Sequence, residues 1–187
     1  MEEEEKNQNI KIAVLGNTKS GKSSLIFRYV NNKCPDGNNP IIEDSYYIPV
    51  RIDEQNFNLI IQDTPGQEDF QNILDKYIPK TDGYLLVFGI DDYEGFKDIK
   101  NKYDRIAKNS HGINPMLLVG NQKNLSQTER KVSSEEAEHL AESLGIKYME
   151  VCCEKNFNIK EVFLCLEREI IEFKGFKEIS KKKCIIV

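Results

Sequence analysis

The sequence predicts an α/β domain with a mostly parallel sheet that is covered by helices on both faces. Short apolar runs alternate with amphipathic segments of helical period along the 187 residues, and strands that alternate with helices in this way pair in parallel. Two early runs are separated by only four residues, 53–56, which indicates a hairpin and therefore one antiparallel strand. No repeat or linker divides the chain, so we expect one domain over residues 10–175.

Each element follows from its local pattern. Six short apolar runs predict strands at residues 10–15, 46–52, 57–62, 84–90, 116–119 and 146–151. Apolar residues at helical spacing predict four helices, and Ser133 with Glu136 forms a capping box that starts the third. The apolar stripes of these helices, which we assign to the core, are Leu25, Ile26, Tyr29 and Val30, then Phe96, Ile99, Tyr103 and Ile106, then Ala137, Leu140, Ala141 and Leu144, and last Ile159, Val162, Phe163, Leu166, Ile170 and Phe173.

Composition and charge narrow the class of protein. The net charge of -5 argues against nucleic-acid binding, because that function needs a basic face. An acidic stretch at residues 2–5 predicts a disordered tail over residues 1–9, and lysines at 181–183 make a tail at residues 176–187 basic. The five cysteines show no metal-ligand spacing. There is no secretory signal and no apolar run long enough to span a bilayer, so we expect a cytoplasmic chain with reduced thiols.

Residues 16–23 have the pattern G-x-x-x-x-G-K-S, which is that of a phosphate-binding loop. They follow a predicted strand and open a predicted helix, where such a loop must lie. The glycines let the backbone wrap close to a phosphate, and successive N–H groups and the helix N-terminus then face the anion. Lys22 would reach the outer phosphates, and the Ser23 hydroxyl would bind magnesium. The predicted phosphate-binding residues are Gly16, Thr18, Lys19, Ser20, Gly21, Lys22, Ser23 and Ser24, together with Gly66.

A second motif, at residues 63–67, supports this interpretation. Asp63 ends a predicted strand, which is the place of a carboxylate that holds magnesium, and the Gly66 N–H could contact a terminal phosphate. Gln67 could orient an attacking water and is the candidate catalytic residue. The motif D-x-x-G alone is weak, but its distance from the phosphate-binding loop and the hairpin makes it specific.

These motifs make the chain similar to the Ras family of small GTPases, from about residue 11 to about residue 171. Residues 40–46 resemble the effector segment of Ras and Rheb, and residues 121–124 and 150–153 resemble the base-binding segments. The resemblance implies a P-loop small GTPase fold with six strands and about five helices. It also implies binding of GTP and GDP with Mg²⁺, slow GTP hydrolysis, and partners that change as two loops reorganise. The residues that it places at the base are Asn121, Gln122, Asn124, Cys152, Cys153 and Cys34, and those that it places at an effector are Ile42, Glu43, Asp44, Ser45 and Tyr46.

The base-binding segment departs from the family pattern Asn-Lys-x-Asp. Asn121 is kept, but the family Lys is Gln122 and the family Asp is Asn124. A carboxylate accepts from the two adjacent donors of guanine, whereas an amide offers one acceptor and one donor. The mismatch with guanine costs about 1–3 kcal/mol. Asn124 suits xanthine better and could also donate to adenine.

Two further changes weaken the predicted base site. The family Ser-Ala pair after Glu150 is Cys152 and Cys153, and Cys34 aligns with the Phe that stacks on the base. Such stacking contributes about 1–3 kcal/mol. These changes predict reduced nucleotide affinity, altered specificity, or both.

The predicted switch regions also differ from the family. Ile41 replaces the Thr whose hydroxyl reaches magnesium, and Asn38 replaces a Tyr that covers the phosphates. Thr18 stands where Ras has a Gly that leaves room for an arginine finger, and Pro65 stiffens the second switch. The changes predict slow hydrolysis and a weak switch, unless neighbouring residues compensate.

The C-terminal residues 184–187 fit the prenylation pattern C-a-a-X with Cys184 as the modified residue. One prenyl chain holds a membrane only marginally, and the lysines at 181–183 would add attraction to an anionic leaflet. The sequence therefore predicts association with the cytoplasmic leaflet if the chain is prenylated.

Two functions of different classes stay open. The first is a membrane-anchored signalling switch that hydrolyses GTP slowly and meets effector, exchange and activating proteins through its switch regions; effectors of ubiquitin-like fold would add a strand at an exposed sheet edge. The second is a pseudo-GTPase, a binding module held in one state or altered in nucleotide specificity. A P-loop kinase is a distant third, because no lid or acceptor site is evident.

Overall fold

The computed structural model of the chain describes residues 8–35, 45–64, 78–110, 114–122 and 130–175. Its strands are β1 (Gln8–Leu15), β2 (Ser45–Ile52), β3 (Gln55–Asp63), β4 (Gly83–Gly89), β5 (Met116–Asn121) and β6 (Lys147–Val151). Its α-helices are α1 (Lys22–Asn31), α2 (Tyr93–Lys97), α3 (Ile99–Asn109), α4 (Ser134–Leu144) and α5 (Ile159–Phe173), and a 3₁₀ turn at Ile78–Lys80 precedes β4.

The six strands form one sheet in the order β2-β3-β1-β4-β5-β6. The pair β2–β3 is antiparallel, and every other pair is parallel. The predicted fold class, a mostly parallel sheet with one antiparallel strand, is therefore confirmed. The carboxyl ends of β1, β3, β5 and β6 lie along one edge, where ligands bind in sheets of this kind.

The core consists of two layers, one on each face of the sheet. Alternate residues of β1 face opposite layers: Ile10, Ile12 and Val14 pack with α1 and α5, whereas Ala13 and Leu15 pack with α3 and α4. This alternation follows from the two-residue period of a strand. Because both faces are covered, β4 is buried along its whole length, as its apolar run predicts.

The β2–β3 hairpin is tighter than the four-residue connection predicted from sequence. Ile52 pairs with Gln55, so the turn consists of Asp53 and Glu54, and Gln55 begins β3. Both turn residues have positive φ, 44° and 71°, which matches the type I′ geometry that suits the twist of a hairpin. Neither residue is Gly or Asn, so the sequence gives a weak signal for this turn.

The predicted helix after β4 is two helices that meet at Asp98. Asp92 caps the first, since its carboxylate accepts from the N–H of Gly95 at 3.0 Å. The capping box of Ser133 and Glu136 is present at α4. One prediction is wrong: Phe173 is 58% exposed and does not belong to the core. The first strand, β1, begins at Gln8, two residues before the predicted start of the domain at residue 10.

Within the described part of the chain, no helix has the length and apolar character that crossing a bilayer requires.

Candidate nucleotide site

The loop between β1 and α1 folds around the side chain of Lys22. The Lys22 ammonium donates to the backbone carbonyls of Gly16 at 2.9 Å and Asn17 at 2.8 Å. Lys22 is only 4% exposed, so its side chain lies under the loop rather than in solvent. The loop and its lysine therefore form one compact cradle at the start of α1.

Two glycines allow this cradle to lie against the ends of β4 and β5. A Cβ at Gly16 would lie 2.0 Å from the carbonyl oxygen of Val87, and a Cβ at Gly21 would lie 2.1 Å from Nδ2 of Asn121. Gly21 also has φ +83°, which a side chain would strain. Gly21 is the N-cap of α1, and no side chain of the described residues caps that end. The first N–H groups of α1 are therefore free to bind an anion.

The electrostatics of Lys22 favour a bound anion. Burial lowers the pKa of Lys22 to about 8; the nearby Asp63 carboxylate opposes this shift and Lys102 adds to it. A buried ammonium is stabilised by negative charge close to it. Phosphate oxygens at the mouth of the loop would supply that charge and would raise the pKa of Lys22 again.

The residues predicted to bind magnesium flank the cradle. Asp63 ends β3 and pairs with Val14 of the neighbouring strand β1, and the next residue, Thr64, donates its hydroxyl to the Val14 carbonyl at 2.7 Å. Ser23 lies in the first turn of α1 and is half-buried. A carboxylate and a hydroxyl are the hard oxygen donors that Mg²⁺ prefers. The residues present therefore fit a magnesium ion bound beside the phosphates.

The other predicted phosphate-binding residues differ in exposure. Thr18 and Lys19 are exposed at the tip of the loop, whereas Ser20 is buried and donates its hydroxyl to the Asn17 carbonyl at 2.9 Å. Ser24, one residue further along α1, is half-buried. Gly66 and the catalytic candidate Gln67 lie outside the described residues.

Asn121 joins the phosphate cradle to the base side of the site. It ends β5, is 2% exposed, and donates from Nδ2 to the Ser20 carbonyl at 2.8 Å. Gln122, the next residue, donates its N–H to the Val151 carbonyl at 2.8 Å, so the chain after β5 stays beside the end of β6. Asn124 lies outside the described residues.

The structure brings two of the predicted base-side cysteines together. Cys34 follows α1 and donates its S–H to the carbonyl of Cys153 at 3.1 Å. The S–H of Cys153 in turn contacts Oδ1 of Asn121 at 3.9 Å. Cys152 pairs through its backbone with Phe157 and is buried. Cys34, Cys153 and Asn121 thus form a continuous row from the end of α1 to the end of β5.

The predicted effector residues are described only in part. Ser45 and Tyr46 begin β2, which is an edge strand of the sheet. Tyr46 is 7% exposed and belongs to the core, whereas Tyr47 is 76% exposed. Ile42, Glu43 and Asp44 lie outside the described residues, as does the lipidation candidate Cys184.

Sequence reasoning missed the residues that hold the loop after β6. Arg28 of α1 donates from Nε to Oδ1 of Asn156 at 3.1 Å, and Asn158 donates from Nδ2 to the Glu150 carbonyl at 2.9 Å. Both asparagines have positive φ, a conformation that Asn tolerates better than most residues. The segment Asn-Phe-Asn was therefore the available signal for a tight turn at this place.

Glu150 anchors the same loop through its side chain. Its carboxylate accepts from Arg130 at 2.7 Å, Tyr148 at 2.8 Å and Ser134 at 2.9 Å. Burial alone would raise the pKa of Glu150, but the hydrogen bonds from these three groups outweigh it and lower the pKa. The base side of the site is therefore supported by an ionised carboxylate that accepts three hydrogen bonds.

A phosphate-binding loop after a parallel strand, an acidic residue at the end of the neighbouring strand and an amide that ties the two sides together define a P-loop nucleotide-binding protein. The Ras family model matches residues 11–172 of the chain. Because the match covers most of its length, the chain belongs to the Ras family, as its motifs predicted. Members of this family are small GTPases, switches that bind GTP and GDP with Mg²⁺ and change their protein partners with the nucleotide.

Proposed function

We propose that this chain is a membrane-anchored signalling switch with atypical base recognition, which exchanges GDP for GTP and hydrolyses GTP slowly. The observation that carries the proposal is the buried Lys22 ammonium within the phosphate-binding loop. The loop presents it together with the uncapped N-terminus of α1, and both favour a polyphosphate.

Ser23 and Asp63 would hold a magnesium ion beside the bound phosphates. When bound, such an ion neutralises charge that develops on the phosphate oxygens during hydrolysis. The chain's own contribution is positioning: Lys22 holds the phosphates, and the buried bond between Thr64 and Val14 fixes the end of β3 from which Asp63 projects. These contacts support nucleotide binding independently of which base is present.

Recognition of the base is the atypical part of the proposal. The bond from Asn121 to Ser20 supports the end of β5 in the position from which the following segment, with Asn124, would meet a base. An amide at Asn124 leaves one guanine donor without an acceptor, so we expect guanine to bind more weakly than the phosphate site alone would allow. Xanthine, which carries an acceptor there, would match the amide.

Slow hydrolysis follows from residues that differ from the family. Thr18 is exposed at the tip of the loop, where it occupies space that an incoming arginine would need. Ile41 has no ligand atom for magnesium, so closure of the first switch over the phosphates is less favourable. Gln67 remains available to orient water. Turnover of GTP with magnesium that disappears in Gln67→Leu would support the enzyme, and absence of turnover even with partner proteins would contradict it.

The nucleotide carried by the purified protein tests the central proposal. We expect stoichiometric guanine nucleotide after purification in magnesium, followed by competition in which XDP displaces it more effectively than ADP. A protein that stays empty and binds none of GDP, XDP and ADP would contradict the proposal.

The second candidate function is a pseudo-GTPase that binds partners in one state only. It is favoured by the contact between Cys34 and Cys153, because a thiol occupies the place at which the family presents a stacking ring. Partner affinity measured with GDP and with a GTP analogue separates the two functions. A change in affinity supports the switch, and equal affinity supports the pseudo-GTPase.

Membrane anchoring rests on the C-terminal residues alone. The last helix that the structure describes, α5, ends at Phe173, and Cys184 follows after a basic stretch of the sequence. We expect incorporation of a prenyl group by purified prenyltransferases, and its loss in Cys184→Ser. Cys165→Ser, which removes a cysteine within α5, is the control and should keep the modification.

A further inference from the structure

We propose that Cys34 and Cys153 form a redox-sensitive pair whose disulfide closes the base side of the nucleotide site. The proposal concerns regulation of that site and therefore rests in part on the proposed function. It starts from two cysteines of distant parts of the chain: the Cys34 thiol donates to the backbone carbonyl of Cys153, and the Cys153 thiol contacts Asn121. All four cysteines that the structure describes are free thiols.

The two residues are close enough for a disulfide bond to form after a local movement of Cys34. The sulfur of Cys34 lies 3.1 Å from the carbonyl oxygen of Cys153, and a carbonyl oxygen lies about 2.4 Å from its own Cα. The Cys34 sulfur is therefore within about 5.5 Å of the Cα that carries the other thiol. Cys34 lies beyond the last residue of α1 and belongs to no helix or strand, so it can move without disturbing the sheet.

The two thiols differ in a way that assigns their roles. Cys34 is half-buried, whereas Cys153 is 6% exposed. Burial, with smaller contributions from the neighbouring thiols, raises the pKa of Cys153 to about 12. Cys34 therefore meets an oxidant first, and Cys153 is the resolving residue.

The chemistry balances with a peroxide as the oxidant. The Cys34 thiol gives its proton to water, and the thiolate sulfur attacks one peroxide oxygen; the O–O bond breaks, the leaving hydroxide takes up a proton to become water, and Cys34 sulfenic acid forms. The sulfur of Cys153 then attacks the Cys34 sulfur, the S–O bond breaks, and the leaving hydroxide takes the Cys153 proton to become a second water as the S–S bond forms. Two thiols and one hydrogen peroxide give one disulfide and two waters.

A bound nucleotide and the disulfide should exclude each other. By the family resemblance, Cys34 stands at the position that contacts one side of the base, and Cys153 stands in the loop beside it. A base held there would separate the thiols, and a disulfide would remove the space for the base. Because the linkage is reciprocal, nucleotide protects the thiols and oxidation weakens nucleotide binding, by at least about tenfold if the hydrogen bonds to the base are lost.

Peptide mapping of the full chain after hydrogen peroxide treatment tests the pair directly. We expect a non-reduced peptide that joins Cys34 to Cys153, about 2 Da lighter than the sum of its parts, and its reversal by dithiothreitol. The cross-link should be absent in Cys34→Ser and Cys153→Ala and unchanged in Cys165→Ser and Cys184→Ser. Over-oxidation of Cys34 without a cross-link, or pairing with other cysteines, would overturn the proposal.

Peptide mapping of peroxide-treated protein, with and without GDP and magnesium, tests whether nucleotide and disulfide exclude each other. We expect GDP-loaded protein to resist cross-linking and oxidised protein to bind fluorescent GDP at least about tenfold more weakly, with Cys34→Ser insensitive to peroxide. Equal cross-linking of loaded and empty protein would overturn the regulatory claim. If the chain binds none of GDP, XDP and ADP, the proposed function fails, and the cross-linked peptide alone then decides whether the redox pair exists.

Discussion

The phosphate end of the candidate site is held by contacts to backbone carbonyls, whereas its base end is held by the side chains of Asn121 and Glu150. At the phosphate end, Lys22 bonds two carbonyls and two glycines permit close contacts. At the base end, the Cys34 thiol contacts the carbonyl of Cys153, and both are predicted base residues that differ from the family pattern. Because the two ends depend on different atoms, we expect the residues that hold polyphosphate to act independently of the predicted changes at the base.

Replacement of Lys22 should disrupt nucleotide binding at the phosphate end of the site. Lys22→Met keeps an unbranched side chain that is one atom shorter and removes the ammonium, so two charged hydrogen bonds and the attraction to phosphate are lost. We expect nucleotide affinity to fall at least about 100-fold, measured with a fluorescent GDP analogue. Lys19 is also a predicted phosphate-binding residue, but its side chain is exposed and Lys19→Met keeps its backbone N–H, so affinity should change by less than about threefold. Equal losses in the two variants would contradict the role given to Lys22.

The packing behind the phosphate end provides a second test. Glu167 of α5 is 2% exposed and accepts from the Tyr29 hydroxyl of α1 at 3.1 Å, while the Tyr29 ring stacks on Phe163 at 3.9 Å. Burial raises the pKa of Glu167 to about 7, against a smaller opposing contribution from the Tyr29 bond. The contact between α1 and α5 therefore contains a carboxyl group that stays protonated in the folded chain up to about pH 7.

The sign of the resulting pH dependence follows from this raised pKa. The stability that the protonated Glu167 contributes is fully present below the pKa of this group in the unfolded chain, near 4.5, and is lost as the pH rises through about 7. We expect the free energy of unfolding to fall by about 3 kcal/mol between these values from this group. Glu167→Gln should remove that dependence and be more stable than wild type at pH 8 in urea unfolding. Glu161→Gln, at an exposed position of α5, is the control and should keep the wild-type dependence.

Restoration of the family acid should sharpen the base end. Asn124→Asp supplies two acceptors for the adjacent donors of guanine, so GDP affinity should rise about 10- to 100-fold while XDP affinity falls. Competition binding against a fluorescent nucleotide measures both. Gln122→Lys, which changes the neighbouring base-side residue without touching that pair of donors, is the control for the reversal of preference. Unchanged selectivity in Asn124→Asp would contradict the account of the base end.

Restoration of the stacking ring should have the smallest effect. Cys34→Phe replaces the thiol beside Cys153 with an aromatic face for the base, and we expect nucleotide affinity to rise about tenfold with no preference among GDP, XDP and ADP. Cys34→Ala is the control, because it removes the thiol without adding a ring. A gain confined to one base would show that the position reads the base edge instead.

The sequence predicted the sheet and the phosphate loop because each has a local signal. The apolar run of β4, the glycine spacing at residues 16–23 and the capping box at Ser133 depend on neighbours in sequence. Their boundaries were accurate to about two residues, the usual uncertainty of element ends. The helix break at Asp98 and the exposure of Phe173 depend on tertiary packing, and the pattern of apolar residues alone does not encode them.

The long-range contacts of the site were beyond local reasoning. Cys34 and Cys153 are separated by 119 positions, and Tyr29 and Glu167 by 138. Alignment with the family placed the cysteines at the base, but it gave no reason to expect that their atoms touch. The burial of Glu167 was not predicted, since Glu is rarely buried without a partner and its partner Tyr29 lies far away in sequence.

Pro49 limits what can be added to the exposed edge of the sheet. In a hairpin with a two-residue turn the closing pair, Ile52 and Gln55, exchanges hydrogen bonds, and pairs alternate from there. The pair of Pro49 and Asn58 is therefore non-bonded, and the N–H that proline lacks would have pointed outward. A second β2 edge laid alongside would lose a bond in the middle of the ladder. The chain should thus resist edge-to-edge aggregation at high concentration. Residues 45–47, at the start of β2, keep N–H and C=O groups that face the open edge.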